Sequence, residues 1–254
     1  MTALADRFGL YGRTALVTGA RDGIGRAAAV ALADAGADLV LWGRRDNLDA
    51  VAREVSERGG KVRTVCADLG DCNALREAAD RVLTEGPVDI LVNNAGIIRR
   101  GPALAIEHPD WRSVFAVNLD ALFLLCRLFG APMWERGRGK IINVASVLTF
   151  QGGINVAAYA ASKHAVAGLT KALANEWAAG GINVNAVAPG YVKTANTAPL
   201  LADAHREPRI RERIPAGRWA EPADIAGAVV FLASPAADYV HGHVLVVDGG
   251  WLAR

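Results

Sequence analysis

Thr14-Ala15-Leu16-Val17-Thr18-Gly19-Ala20-Arg21-Asp22-Gly23-Ile24-Gly25 is the stretch that decides the fold. Its first five residues form a short apolar run that suits a buried strand. The glycines permit a tight turn and a close backbone approach, and the Ala-rich Ile24–Ala35 beyond them suits a helix. A strand that turns through glycines into a helix aims backbone N–H groups and a positive dipole end at one point. That point is a cradle for phosphate. A Gly-rich turn alone is a weak signal. Its place after the first strand of an alternating series is what predicts a dinucleotide.

The alternation continues along the chain. Asp38–Trp42, Lys61–Cys66, Val88–Val92, Lys140–Ala145, Ile182–Val187 and His243–Val247 are predicted strands. Leu48–Arg58, Asn73–Glu85, His108–Glu135, Val156–Ala179 and Pro222–Ala233 are predicted helices, with Asn73 as a cap and Pro109 in a first turn. The implied fold class is α/β: a single-domain, Rossmann-like, doubly wound parallel sheet of about seven strands with helices on both faces. No linker divides residues 1–254, so one domain is expected. Tyr191–Arg218 is polar, proline-punctuated and weakly periodic, the profile of a substrate loop or lid at about 191–218.

Hydrophobic residues make up 52% of the 254 and charged residues 21%, enough to fill a core and to exclude general disorder. Lys and Arg number 28 against 26 Asp and Glu, a balance that argues against coating nucleic acid. Apolar runs such as Leu39–Trp42 and Ile90–Val92 are short and broken, so no membrane span is expected. Met1–Leu10 carries Asp6 and Arg7 and lacks the apolar region of a signal peptide. Cys66, Cys72 and Cys126 are odd in number and lack metal-ligand spacing, which points away from disulfides and metal and toward a reducing cytoplasm.

The G-x-x-x-G-x-G spacing of Gly19, Gly23 and Gly25 resembles that of the short-chain dehydrogenase/reductase family. Three further motifs agree, in the family's order: Asn93-Asn94-Ala95-Gly96, Ser146 with Tyr159-Ala160-Ala161-Ser162-Lys163, and Pro189-Gly190. The resemblance covers essentially the whole chain. It implies a nicotinamide cofactor held by Gly19, Arg21, Asp22, Gly23, Ile24 and Gly25, with Asp68 and Leu69 at the adenine. Asn94, Ala95 and Gly96 would line the adenosine ribose and nicotinamide side. Pro189, Gly190, Val192 and Thr194 would shape the nicotinamide pocket.

An acid at the end of the second strand would bond both ribose hydroxyls and repel a 2′-phosphate. Here Leu41-Trp42-Gly43-Arg44-Arg45 holds no acid before Asp46, and Arg44, Arg45 and Arg21 suit a phosphate. NADP(H) is favoured. NAD(H) is the alternative if these arginines are only solvated.

Tyr159 and Lys163 lie four apart and share one face of a predicted helix. A phenol titrates too high for a base near neutrality, at about 10, and a nearby ammonium favours its anion. Tyr159 is the candidate acid/base. Ser146, at the end of the fifth strand, would hold the substrate oxygen. Lys163 would bond the nicotinamide ribose, and Asn118, mid-helix, would hold a relay water, as the resemblance implies.

The loop Ile97-Ile98-Arg99-Arg100 is expected beside the active site, where arginine suits a carboxylate. Arg99 is the named substrate contact, with Ser146, Leu148, Gln151 and Tyr159. Asn93-Asn94-Ala95-Gly96-Ile97-Ile98-Arg99-Arg100, Phe150-Gln151-Gly152-Gly153, Ile214-Pro215-Ala216-Gly217-Arg218-Trp219 and the ending Asp248–Arg254 resemble one subgroup. It is the 2-deoxy-D-gluconate 3-dehydrogenase, or 2-dehydro-3-deoxy-D-gluconate 5-dehydrogenase, group. The substrate this implies is a small acidic sugar derivative. That group commonly uses NAD(H), whereas Arg44-Arg45 points to NADP(H). The alternatives are a 3-oxoacyl-carrier-protein reductase, another polyol or ketone reductase, or a dinucleotide-sensing regulator without catalysis. The resemblance also implies a homotetramer.

Overall fold

The computed structural model describes residues 3–254. In chain order the elements are α1 (Ala3–Phe8), β1 (Thr14–Thr18), α2 (Gly23–Asp34), β2 (Asp38–Gly43), α3 (Asp49–Ser56), β3 (Val62–Cys66), α4 (Cys72–Glu85) and β4 (Ile90–Asn93). Then come α5 (His108–Phe115), a π turn (Ala116–Asp120), α6 (Ala121–Glu135), β5 (Gly139–Val144), α7 (Ala157–Trp177) and β6 (Ile182–Pro189). The chain finishes with α8 (Ala198–Leu201), α9 (Arg206–Arg213), α10 (Pro222–Ala233) and β7 (Val244–Val247). Met1 and Thr2, part of the stretch read for a signal peptide, lie outside the described residues.

The seven strands form one sheet in the order β3-β2-β1-β4-β5-β6-β7, and every pairing is parallel. Successive residues of a strand face opposite sides. Ala15, Val17, Leu39, Leu41, Ile90 and Val92 therefore enter one core with α2, α3 and α10. Leu16, Val40, Trp42 and Leu91 enter the other with α4, α6 and α7. The order reverses at β1 and β4. β3 closes one edge, and the chain returns to the far side of β1, opening a crevice at the strand C-terminal ends.

Three expectations need correction. The cap of α4 is Asp71, whose carboxylate accepts from Asn73 N and Ala74 N at 2.9 and 3.1 Å, and not Asn73 itself. Tyr191–Arg218 is not bare loop. It contains α8 and α9, whose Leu200 and Ile210 join Ile214, Trp219 and Trp251 in a small core of its own. One helix among the described residues, His108–Glu135, is long and apolar enough to cross a membrane. Its apolarity has another use, since Leu125, Phe129 and Met133 fill the second core.

Candidate active site

β1 and β4 end side by side, and the turns that follow them are fastened together. Thr18 Oγ1 accepts from the N–H groups of Asn94 and Ala95, each at 3.0 Å. The Asn94 amide donates back to Thr18 O at 2.9 Å and Gly19 O at 3.2 Å. Gly19 and Gly23 take left-handed backbone, with φ of 64° and 55°. Gly25 is buried against Gly19 O and the Asn94 amide, where a Cβ would collide with both. Its role is to let the turn close, and it stands behind the crevice wall.

The crevice holds about 760 Å³. Gly19, Arg21, Asp22, Gly23 and Ile24 form one end, with Arg44, Arg45, Asp68 and Leu69 beside them. Asn94, Ala95 and Gly96 form the floor. Ser146, Tyr159 and Lys163 line the crevice together with Pro189, Gly190, Val192 and Thr194, and Thr194 stands against Gly23 of the cradle. The glycine cradle, the exposed Arg44 and Arg45, and a volume within the range of ligand sites fit a phosphorylated dinucleotide. Within the turn, Arg21 Nε donates to Asp22 at 2.8 Å, so these two side chains form an exposed pair.

Tyr159 and Lys163 project from α7, and Ser146 lies two residues beyond β5, capping a short 3₁₀ turn through Leu148 N at 3.1 Å. Lys163 is buried, and its Nζ donates to Val144 O at 2.6 Å. Burial lowers that ammonium to about 8. Burial raises the Tyr159 phenol above its usual value, while the Ser146 hydroxyl and the Arg100 guanidinium pull it down. Lys163 Nζ lies 5.6 Å from the centre of the Tyr159 ring.

Asn118 sits in the π turn, a local widening common at functional sites. Its Oδ1 accepts from Ile97 N at 2.8 Å, and its Nδ2 donates to Ile97 O at 3.0 Å and Ser162 Oγ at 3.1 Å. All three bonds run to the protein itself. Asn118 ties the loop after β4 to α7.

That loop divides its two arginines. Arg99 lines the crevice but pairs with Asp110 at 3.4 Å, both half-exposed. Arg100 donates to Asn196 O at 2.9 Å and feels Tyr159, Tyr191 and Arg206. Arg100 stands outside the crevice lining, and its positive charge favours the Tyr159 phenolate. Leu148 and Gln151 stand outside the crevice lining. Sequence reasoning places Arg100 with Arg99 beside the active site but does not single out Thr18 or Ser162 as site residues.

The family described as Enoyl-(Acyl carrier protein) reductase matches residues 19–252. A Bacillus subtilis (strain 168) relative, a 2-dehydro-3-deoxy-D-gluconate 5-dehydrogenase, is 52% identical over 254 residues and 100% of each chain. A crystal structure from Beutenbergia cavernae, with NADP bound at low occupancy, is 57% identical with a TM-score of 0.96, covering 98% of this chain and 100% of that one. The structure of a gluconate 5-dehydrogenase from Burkholderia cenocepacia J2315, in complex with NADP and tartrate, is 41% identical with a TM-score of 0.95 and covers 99% of both chains.

Proposed function

Because the chain belongs to the short-chain dehydrogenase/reductase family, we propose that it oxidises or reduces a small sugar acid with NADP(H). The substrate is of the gluconate or 2-dehydro-3-deoxygluconate type. The observation that carries the reading is the meeting of Ser146, Tyr159 and Lys163 in one crevice with the glycine cradle. The Bacillus subtilis relative's name and the NADP and tartrate in the Burkholderia cenocepacia structure support it.

The bound nicotinamide supplies or accepts the hydride. The protein's part is to place the substrate and move a proton. Ser146 orients the substrate oxygen. Tyr159 takes the hydroxyl proton in oxidation and returns it to the carbonyl oxygen in reduction. Lys163 holds the cofactor's ribose, and Asn118 positions the loop that carries Arg100. Arg100 offers its guanidinium to the substrate carboxylate. Arg44, Arg45 and Arg21 hold the 2′-phosphate, with Asp68 and Leu69 at the adenine. The segment at 191–218 covers the substrate, its Asn196 carbonyl already bonded to Arg100. Leu148 and Gln151 shape the loop between Ser146 and Tyr159.

The enzyme works in the cytoplasm, in keeping with three free cysteines, two of them exposed. It assembles as a homotetramer, in keeping with half-exposed Phe123 and Trp134 on the apolar α6. The test follows NADPH and NADH turnover across gluconate, keto-deoxy sugar acids, neutral polyols and a 3-oxoacyl thioester. Highest efficiency on an acidic sugar with NADPH is expected. Preference for the thioester would replace this reading with an acyl reductase, and cofactor binding without any turnover with a regulator.

A further inference from the structure

One hydroxyl closes the neck of the loop that leaves β6. Beyond Pro189, Val192 pairs in parallel with Ala220, and Lys193 N donates to Ala220 O and Ala220 N to Tyr191 O, each at 2.9 Å. Val192 is buried in the core shared with α2, α3 and α10, so its carbonyl is a fixed point. Thr197 Oγ1 donates to that carbonyl at 2.5 Å and accepts from Thr194 N at 3.0 Å. A hydroxyl has one proton and two lone pairs. Thr194 O, at 3.1 Å, is the poorer acceptor for the single proton, and Thr194 Oγ1 lies 3.3 Å from Thr197 Oγ1. The Thr197 side chain is therefore committed to its own loop, although the residue lines the crevice.

Two contacts of the site sit on the segment this hydroxyl closes. Thr194 lines the crevice, and its methyl stands where a Cβ added at Gly23 would come within 3.3 Å. The segment thus reaches the glycine cradle. Asn196 O accepts from Arg100 Nη2 at 2.9 Å, so the same segment holds the guanidinium. Without the hydroxyl, the Val192 carbonyl and the Thr194 N–H lose a partner and turn to water, which they reach as the loop opens. Thr194 then leaves Gly23, Asn196 leaves Arg100, and each ligand must order the loop as it binds.

We propose that Thr197 is a positioning residue that sets Thr194 against the cofactor cradle and Arg100 toward the substrate through one hydroxyl. Its substrate arm rests on the reading of Arg100 as the partner of the substrate carboxylate. Its cofactor arm does not.

Thr197→Val keeps the branched shape and removes the hydroxyl, and Thr197→Ser keeps the hydroxyl. Calorimetric titration of the full chain with NADPH should show affinity about tenfold weaker in Thr197→Val and within about threefold of the unaltered protein in Thr197→Ser. Melting curves check that both variants fold. The second readout is KM for gluconate or a keto-deoxy sugar acid, whichever turns over faster. It should rise about tenfold in Thr197→Val. In an Arg100→Ala background that rise should vanish, while the loss of NADPH affinity persists. A general loosening of the fold would raise KM equally in both backgrounds. Unchanged NADPH affinity in Thr197→Val, a Thr197→Ser variant as weak as Thr197→Val, or a KM rise that survives the loss of Arg100 would each overturn the proposal. Arg100→Ala with unaltered KM would strike the reading of Arg100 and the substrate arm with it, and the NADPH titration would still decide the cofactor arm.

Discussion

The ammonium of Lys163 lies 5.6 Å from the centre of the Tyr159 ring and donates to the Val144 carbonyl at 2.6 Å. The two side chains share a helix face but have different neighbours. The lysine is anchored to the end of β5, and the phenol answers to Ser146 and Arg100. The two side chains are thereby held independently of one another.

Tyr159→Phe keeps the ring and removes only the proton carrier. Turnover should fall by about 10²–10⁴, the usual worth of a positioned acid or base. Cofactor affinity, followed by fluorescence titration, should stay within about threefold. Near-normal turnover would remove Tyr159 from the chemistry.

Lys163→Met should inactivate the enzyme yet stabilise the cofactor-free protein. Burial lowers Lys163 from 10.5 to about 8, so its unfolded state binds the proton more readily. The cost to the fold is complete below pH 8 and fades as pH rises toward 10.5. Urea unfolding should show a gain of about 1–3 kcal/mol at pH 7 that disappears near pH 10.5. A loss of stability at pH 7 would mean that the bond to Val144 outweighs desolvation.

Arg100→Ala should raise KM for acidic substrates by about 10–100-fold and change neutral polyols far less, the range expected of a charge-assisted contact. It should also move the alkaline rise of the oxidation rate to higher pH, because the guanidinium pulls the Tyr159 phenol down. Arg99→Ala, whose side chain pairs with Asp110, should do neither. Equal effects of the two variants in steady-state kinetics would contradict the division.

Arg44→Asp places a carboxylate where two ribose hydroxyls or a 2′-phosphate would lie. The ratio of kcat/KM for NADPH over NADH should drop by about tenfold or more. An unchanged ratio would show that Arg44 is only solvated.

Gly25→Ala should disturb the cradle without touching the ligand. The added methyl meets Gly19 O and the Asn94 amide, both held by the strands behind them. Stability should fall by about 1–3 kcal/mol, and cofactor affinity with it. Thermal melts with and without NADPH separate the two effects.

Most of the architecture was legible because it rests on local patterns. Apolar strand runs, the Ala-rich helices and the glycine turn each depend on neighbours within a few residues. Sequence alone does not separate Asn73 from Asp71 as the cap of α4, because both residue types cap well and only the extended backbone at Asp71 makes it the first residue out of the helix. The π turn around Asn118 left no mark in the composition. It arises where the helix yields to bonds with Ile97 and Ser162, which are far away in sequence.

By itself the sequence determined the parallel α/β sheet, the order of the motifs and the identity of Ser146, Tyr159 and Lys163, because helix and strand periodicities follow from adjacent residues. The tertiary structure decided which of two neighbouring arginines is held by the Asn196 carbonyl, what Asn118 bonds, and that Lys163 is anchored to the end of β5. Those outcomes depend on distance and desolvation between segments that meet only after the sheet has closed.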